Sequence, residues 1–368
     1  MRVVGLTLRN FRGYGSAQVD LGPGLTVISG PNGAGKTNLL EALYFGCTGR
    51  SCRTSNEREL VSFGAASTRV LVRADGEDGA HELSVGFAPG EPKRMKVDGA
   101  TVERMVEVPG RPLVSVFLPD RLELVKGPPA LRRAHLDQFV SALWPARALT
   151  RRAYAQALAQ RNALIARIRT GRASRESVLT WDRQLAGHGI QLMSDRRLAV
   201  EAMSERFSEM SGDLGLDDGA QMGYRPRSRA VDAAALAEEL AERLESDLER
   251  GFTGHGPHRD DLVLVCAGRD LRTYGSQGQQ RLGLLALLLA ERETIAGVRS
   301  APPLMLLDDV MSELDGNRRQ SLVELLRRTA GQSIITTTDV DHVPGARGGE
   351  VSLLGVRMGH ILSEAVAA

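Results

Sequence analysis

The run Gly30-Pro31-Asn32-Gly33-Ala34-Gly35-Lys36-Thr37 constrains the fold more than any other stretch of this chain. It follows an apolar segment, Leu25 to Ser29. It leads through Asn38 into a segment ending at Phe45, where Leu39, Leu40, Leu43 and Tyr44 share one face. Strand, glycine-rich turn and helix in that order predict a Walker A loop. Its glycines let backbone N–H groups wrap phosphates, and the helix N-terminus adds a favourable dipole. Lys36 then reaches the outer phosphate oxygens and Thr37 offers a magnesium ligand, which makes Gly30 to Asn38 the candidate nucleotide cradle. Such a loop belongs on an α/β lobe with a mixed sheet.

A second element fits the first. Leu304-Met305-Leu306-Leu307-Asp308-Asp309 is a run of four apolar residues ending in two acids, the Walker B form of a buried strand that delivers a carboxylate. Asp308 is the candidate to hold magnesium through water, and Asp309 the candidate to orient or deprotonate the attacking water. Upstream, Gly275-Ser276-Gln277-Gly278-Gln279-Gln280 leads into a helix over Arg281 to Ala290. Ser276, Gly278 and Gln279 form a small, hydroxyl-bearing turn at a helix N-terminus, which suits phosphate. Taken alone, the turn also fits an ordinary polar N-cap. One subunit has no need of a second cradle, so the expectation is a head-to-tail dimer in which this turn closes on the γ-phosphate held by the partner. Ser312-Glu313-Leu314-Asp315 suits a contact across that interface.

Alternating apolar positions predict three short strands within the first 30 residues and further strands at 70–73, 83–87 and 114–117. From about Pro128 to residue 250 strand signals vanish and Ala, Leu, Arg and Glu dominate, as in helices. Two stripes recur there at helical spacing. One is Tyr154, Leu158, Ile165 and Ile168; the other is Trp181, Leu185, His188, Leu192, Ala199, Met203, Phe207 and Met210. Two antiparallel helices joined near Gly171 would bury both, as a short hairpin rather than a long coiled-coil arm. Strand patterns return at 262–266, 304–307, 333–337 and 351–356, with helices at 277–295 and 316–329. The expected organisation is a discontinuous ATPase domain, 1–127 with 251–368, carrying an inserted helical domain at 128–250.

Composition bears on partners. The chain of 368 residues carries 43 Arg and only 4 Lys, and its formal net charge of +2 excludes wholesale polybasic character. Any basic surface must be local. Between Arg151 and Arg183 eight arginines face only Glu176 and Asp182. They read either as a solvated helix face or as phosphate contacts, with Arg151, Arg152, Arg161, Arg167 and Arg169 the candidates. Sparse aromatics favour tracking a duplex backbone over stacking on single strands. His255, His258, Asp260 and Asp261 read as a turn and strand start rather than a metal cluster. Residues 231 to 250, with seven acids against Arg243 and Arg250, read as a solvated helix face. Cys47, Cys52 and Cys266 are too few for a disulfide framework, and the N-terminus lacks an apolar leader. The expectation is a cytoplasmic protein with no membrane segment.

Walker A, a Ser-x-Gly-Gln signature, Walker B and a Ser-x-Leu-Asp loop, in that order, resemble the ABC-type ATPase heads of the SMC and Rad50 group. The chain is more closely similar to the RecF family of bacterial recombination mediators, through Leu8-Arg9-Asn10-Phe11-Arg12, Gly49-Arg50-Ser51-Cys52-Arg53-Thr54, Pro119 to Gly127, Arg132-Arg133, Leu136-Asp137, Gly256 to Asp261, Ser276 to Gln280 and Leu307 to Asp315. The resemblance implies a Rad50-like head without long arms, using ATP and Mg2+. It implies an ATP-dependent dimer that binds duplex DNA and gapped junctions and, with RecR and RecO, loads RecA onto SSB-coated single strands. Arg50 and Arg53 resemble the arginine-bearing loop by which SMC-type heads couple DNA to hydrolysis. Asp309 stands where most ABC heads carry Glu, Thr336-Thr337-Thr338-Asp339 replaces the usual switch histidine, and no glutamine lies between Gln18 and Gln138. Slow turnover, with ATP acting mainly as a dimer latch, is the expectation. A transporter nucleotide-binding subunit and a Rad50-like end-tethering ATPase are the alternatives. The 240 residues from Lys36 to Ser276 exceed what a bare transport head needs, and end-tethering calls for heptad arms.

Overall fold

The structure is a computed structural model, and it describes residues 1–216, 219–299, 302–329 and 331–363. The chain opens with β1 (Arg2–Phe11), β2 (Tyr14–Asp20), β3 (Leu25–Ser29) and α1 (Lys36–Thr48). Five strands follow: β4 (Thr68–Gly76), β5 (Gly79–Phe87), β6 (Arg94–Val97), β7 (Ala100–Val102) and β8 (Val114–Phe117). Helices then dominate: α2 (Glu123–Lys126), α3 (Pro129–Leu143), α4 (Ala148–Arg169) and α5 (Val178–Asp213). After β9 (Gln221–Arg225) come α6 (Ala233–Glu242), α7 (Leu244–Arg250), β10 (Asp261–Cys266), β11 (Arg269–Asp270), α8 (Leu271–Tyr274) and α9 (Gln277–Arg299). The chain closes with β12 (Leu304–Leu307), α10 (Gly316–Arg328), β13 (Ser333–Thr337), β14 (Ser352–Arg357) and β15 (His360–Ser363). Two compact units result, Met1–Arg121 with Ile295–Ala368, and Leu122–Thr294.

The first unit holds two sheets where the sequence suggests one mixed sheet. One is antiparallel, in the order β2-β1-β4-β5-β6-β7; the other runs β15-β14-β3-β13-β12-β8, parallel except for β15. The division follows patterning. β12 is apolar at every position and buried throughout, as a strand covered on both faces must be, whereas β4 alternates buried and open residues. Leu39, Leu40, Leu43 and Phe45 of α1 share a core with Val70, Val72, Leu83 and Val85 of the antiparallel sheet and with Ile28, Leu306 and Ile334 of the parallel one. Helix α1 packs so closely on β4 that a Cβ at Gly46 would lie 2.4 Å from Val72 Cγ2. The buried Gln332 amide joins the sheets. It accepts from Val3 N–H (2.8 Å) and donates to the carbonyls of Val3 (2.6 Å) and Gly22 (2.7 Å).

The second unit is a helix pair with polar buttresses. α4 and α5 are joined by a turn through Gly171, left-handed at φ 70°. Most of the predicted stripe is buried, but His188 is exposed. The seam runs through Gly189 instead, where a Cβ would lie 2.9 Å from Leu236 Cδ2 and 3.4 Å from Tyr154, so a larger residue would have to displace the Leu236 side chain. β9 falls inside the stretch expected to be all helical, and β10 pairs with β9 and β11 in a small sheet of its own. Sequence blocks far apart meet here. Arg196 makes a bidentate pair with Asp137 (2.8 and 3.1 Å) and reaches Asp260 (3.3 Å), while Arg132 grips Asp261 (2.7 and 2.9 Å).

His255 and His258 serve the same scaffold. His255 Nε2 meets Glu239 at 2.5 Å. His258 Nε2–H donates to Thr253 O (2.9 Å), which leaves Nδ1 to accept from the Tyr154 hydroxyl (2.7 Å). Burial lowers the His258 pKa from 6.5 to about 4. Between those values the unfolded chain takes up a proton that the folded chain refuses, so stability falls as pH falls through this window, by on the order of 3 kcal/mol. His258→Gln should flatten the loss between pH 7 and 4.5, read from thermal midpoints; equal slopes for variant and wild type would contradict this.

Candidate nucleotide-binding site

The C-terminal ends of β3, β12 and β13 lie side by side in the parallel sheet, Thr337 opposite Ser29 and Leu307 opposite Ile335. Loops leaving adjacent parallel strands on one edge are where α/β sheets place ligands. β3 runs into the glycine-rich loop. Gly30 has no room for a side chain, because a Cβ there would lie 2.2 Å from Val356 O, and Gly35 is left-handed at φ 112°. Gly35 caps α1 without any side-chain hydrogen bond, and no acid occupies the first turn. The first N–H groups of this helix are therefore available to an anion. The Tyr14 hydroxyl donates to Gly35 O (3.0 Å) and fixes the loop from the β1–β2 turn; burial pushes its pKa to about 12.

Lys36 is buried, and Nζ donates to Gly30 O (2.7 Å) and Pro31 O (3.1 Å). Desolvation lowers its pKa, against the opposing pull of Asp309 and Asp308. Thr37 Oγ1 lies 3.0 and 2.8 Å from the two carboxylate oxygens of Asp308. Thr336 Oγ1, at the end of β13, donates to Asp308 Oδ1 (2.7 Å) and accepts from Asp309 N–H (3.0 Å). The structure thus brings Walker A and Walker B together and adds Thr336. In the sequence it registers only as a departure, a threonine where a histidine is usual; its position on the neighbouring strand is the missing information.

Asp309 has left-handed backbone at φ 46°, uncommon for a side chain with a Cβ and placed where the chain leaves β12. Its Oδ2 accepts from Ser312 Oγ (3.0 Å), while Oδ1 is buried without a hydrogen-bond partner. A buried carboxylate oxygen in that state is open to a water or an ion. The Thr37 hydroxyl and the Asp308 carboxylate are hard oxygen donors, and the set fits magnesium.

The signature turn is a capping box. Ser276 Oγ accepts from Gln279 N–H (3.2 Å) and Gln279 Oε1 accepts from Ser276 N–H (2.9 Å), at the start of α9. Ser276, Gly278 and Gln279 are exposed, while Gln280 is buried on Leu271 O (2.9 Å). These residues lie in the second unit, Walker A and B in the first.

The candidate DNA contacts divide. Arg50, Arg53, Arg151, Arg152, Arg167 and Arg169 are exposed. Arg161 is a correction: it is fully buried, bonded to Asp182 (2.6 Å), Asp247 (2.6 Å) and Thr253 (2.8 Å), and offers nothing to a phosphate. A basic row not evident in the sequence lies across the antiparallel sheet, where Arg9 stands opposite Arg69, Arg69 opposite Gly86, and Gly86 opposite Arg94. Arg69, Arg94 and Lys96 line a cleft of about 510 Å³ with Ser67, Ser84 and Glu91, and Glu91 pairs with Arg94 (2.9 Å). Like charges directly opposite cost stability; Arg69 Nε is held across the sheet by Ser84 Oγ (3.1 Å). Only strand register reveals the row. Lys93 closes the C-terminus of α1, donating to Gly49 O (2.6 Å) and pairing with Glu57.

Among the described residues no helix is long and apolar enough to cross a membrane. A family model described as an AAA domain matches residues 5–99. The chain is 38% identical over 372 residues to the DNA replication and repair protein RecF of an Anaeromyxobacter species, covering 98% of this chain and 99% of the relative. To RecF of Myxococcus xanthus it is 37% identical over 378 residues, covering 100% and 98%. A solved structure of the recombination mediator protein RecF with ATP, from the RecFOR pathway, superposes with a TM-score of 0.86 at 28% identity, covering 99% of this chain and 98% of that one. An SMC head bound to the C-winged helix domain of ScpA has the same fold, with a TM-score of 0.62 at 18% identity over 100% and 98% of the two chains. The blocks quoted from the sequence, the ABC-type head with its helical insertion and the near full-length relatives agree, and the chain belongs to the RecF family of DNA replication and repair proteins.

Proposed function

We propose that this chain is an ATP-dependent DNA-binding protein of recombinational repair and replication-fork maintenance. The observation that carries the reading is the convergence of Lys36, Thr37, Asp308 and Thr336 on one sheet edge. Residues Gly30 to Asn38 cradle the phosphates of ATP, and Lys36 supplies a compact positive charge to their outer oxygens. Thr37 and Asp308 hold Mg2+, which would neutralise phosphate charge. Asp309, one methylene shorter than glutamate, orients the water. Its Ser312 bond and left-handed backbone leave little freedom for proton transfer, so turnover is slow and serves release. The functional ATPase domain is 1–127 with 251–368, because Ser276, Gly278 and Gln279 act with it, closing on the γ-phosphate of a partner copy in an ATP-bound homodimer; 128–250 is the insertion.

The dimer binds duplex DNA and junctions at gaps, and DNA stimulates hydrolysis. Arg50, Arg53, Arg151, Arg152, Arg167, Arg169 and the Arg9–Arg69–Arg94–Lys96 row supply phosphate contacts, which are sequence-independent and salt-sensitive. With RecR and RecO the protein promotes RecA loading on SSB-coated single strands, in the cytoplasm, as part of the response to DNA damage. The alternatives fare worse. α4 and α5, 22 and 36 residues long, are too short for end-tethering arms, and a transport subunit has no use for a basic sheet face. Sedimentation with gapped DNA tests the whole reading. Wild type should form a dimer on DNA with ATP and lose it without ATP, and Lys36→Arg should fail in both. An ATP-bound monomer that ignores DNA would overturn it.

A further inference from the structure

Glu41, on α1 one turn beyond Asn38, is the one acid of the nucleotide-binding helix, and its side chain is completely buried. It accepts from three residues of two other segments, the β1–β2 turn and the loop after α1. Arg12 makes a bidentate pair (2.9 and 2.9 Å), Ser51 Oγ donates at 2.5 Å and Arg53 Nη1 donates at 3.2 Å. Arg53 Nη1 also reaches Asn38 Oδ1 (3.1 Å), so one nitrogen of an exposed arginine touches two residues of the P-loop helix. Ser51 Oγ in turn accepts from the N–H groups of Arg53 (2.9 Å) and Thr54 (3.1 Å), which fixes the loop backbone.

The asymmetry of the two arginines is informative. Arg12 is held on Glu41 by two short bonds and its side chain is 19% exposed; Arg53 reaches Glu41 by one longer bond and is 39% exposed. Arg12 also faces Glu59 (3.7 Å), so the two guanidinium groups are matched by two carboxylates, one buried and one half-exposed. Arg12 occupies both oxygens of Glu41, and Arg53 reaches the carboxylate through Nη1 alone, which leaves its other N–H groups for an external anion. The guanidinium is planar and presents five donors in a fixed fork, so anchoring Nη1 inward orients the remaining N–H groups. Arg12 has left-handed backbone (φ 52°) in the same turn that sends Tyr14 to Gly35 O, so Glu41 ties both flanks of the phosphate loop together.

We propose that Glu41 is the positioning residue that links DNA to the nucleotide site: it holds Arg53 pre-set for a DNA phosphate, with Asn38 as the point of contact with the P-loop. This rests on the reading that the Arg53 loop meets DNA. A phosphate bound by Arg53 would be one guanidinium away from α1, and the fixed geometry would pass its occupancy to Asn38 without further rearrangement.

The test compares ATP turnover with and without duplex DNA for wild type, Glu41→Gln, Arg53→Ala and the double variant, with the KM for ATP measured in each. Glu41→Gln keeps the shape and removes the charge. It should cut the stimulation by DNA to the level of Arg53→Ala, and the double variant should be no worse than either single one. The KM for ATP should stay within about twofold of wild type, because the effect lies in the DNA response. Full stimulation in Glu41→Gln beside a loss in Arg53→Ala, or losses that multiply in the double variant, would overturn the role of Glu41. Full stimulation in Arg53→Ala would instead sink the underlying reading. Should Glu41→Gln fail to fold, Ser51→Ala carries the test: it removes the Ser51 bond to Glu41 and the anchor of the Arg53 and Thr54 N–H groups without touching a buried charge, leaving Arg53 on its single 3.2 Å bond to the carboxylate, and undiminished stimulation there also overturns the proposal.

Discussion

Lys36→Arg is expected to lower ATP turnover by about 10²- to 10³-fold, the cost of misplacing one preorganised charge at a reacting phosphate, and to abolish the proposed ATP-dependent dimer while the chain stays folded. Charge is conserved in this substitution, so the argument is one of shape. Nζ occupies a small pocket between Gly30 O and Pro31 O, and the residue is 7% exposed. An ammonium is a compact point with three rotatable donors, whereas a guanidinium is a wide plane. Placing that plane under the loop pushes against backbone that is closely packed on its far side, where a Cβ on Gly30 would lie 2.2 Å from Val356 O. Overpacking of this kind is relieved by moving the loop, and the phosphate cradle is the loop. Turnover by phosphate release, with far-UV circular dichroism as the folding control, checks the outcome. Near-normal turnover in Lys36→Arg would mean that Lys36 does not approach the phosphates.

The reach of the sequence has physical limits that particular residues illustrate. Walker A was legible because its order of elements is local: strand, turn and helix are contiguous, and their glycines have few other uses. The Walker B strand was legible from four apolar residues in a row, the mark of a strand covered on both faces. Thr336 was recognisable only as a departure, since its role depends on β13 lying between β12 and β3, and strand order is not a local property. The Arg9–Arg69–Arg94 row was invisible for the same reason. Its members are 60 and 25 residues apart and meet through antiparallel register alone. β9 was missed because Gln221-Met222-Gly223-Tyr224-Arg225 has no clean alternation; it forms by pairing with β10. His188 against Gly189 shows the limit of periodicity, because a stripe at three- to four-residue spacing has two adjacent solutions and tertiary contact selects one.

Arg161 marks the same boundary with the largest energetic consequence. Counted along the chain, it is one of eight arginines in a basic stretch; in the fold its partners are Asp182 on α5 and Asp247 on α7, both buried. Arg161→Leu should destabilise the protein by about 3–5 kcal/mol, because it leaves two carboxylates buried without a counter-charge. The pH dependence has a definite sign. Desolvation already raises the Asp182 pKa, with Arg161 opposing it and Asp247 adding to it. Without Arg161 only the raising influences on Asp182 remain, so its folded carboxyl group holds a proton that the unfolded chain has released. The deficit of the variant is therefore largest near neutral pH and shrinks as the pH falls through the raised carboxylate range. Adding Asp182→Asn and Asp247→Asn to Arg161→Leu should recover a large part of the loss at pH 7, since the stranded charges are gone. A surface phosphate contact would behave differently: its removal would leave stability unchanged and reduce the salt dependence of DNA binding by about one counter-ion. Urea unfolding at two pH values together with DNA titrations at several salt concentrations separates the two cases, and an unaltered unfolding midpoint in Arg161→Leu would return Arg161 to the DNA surface.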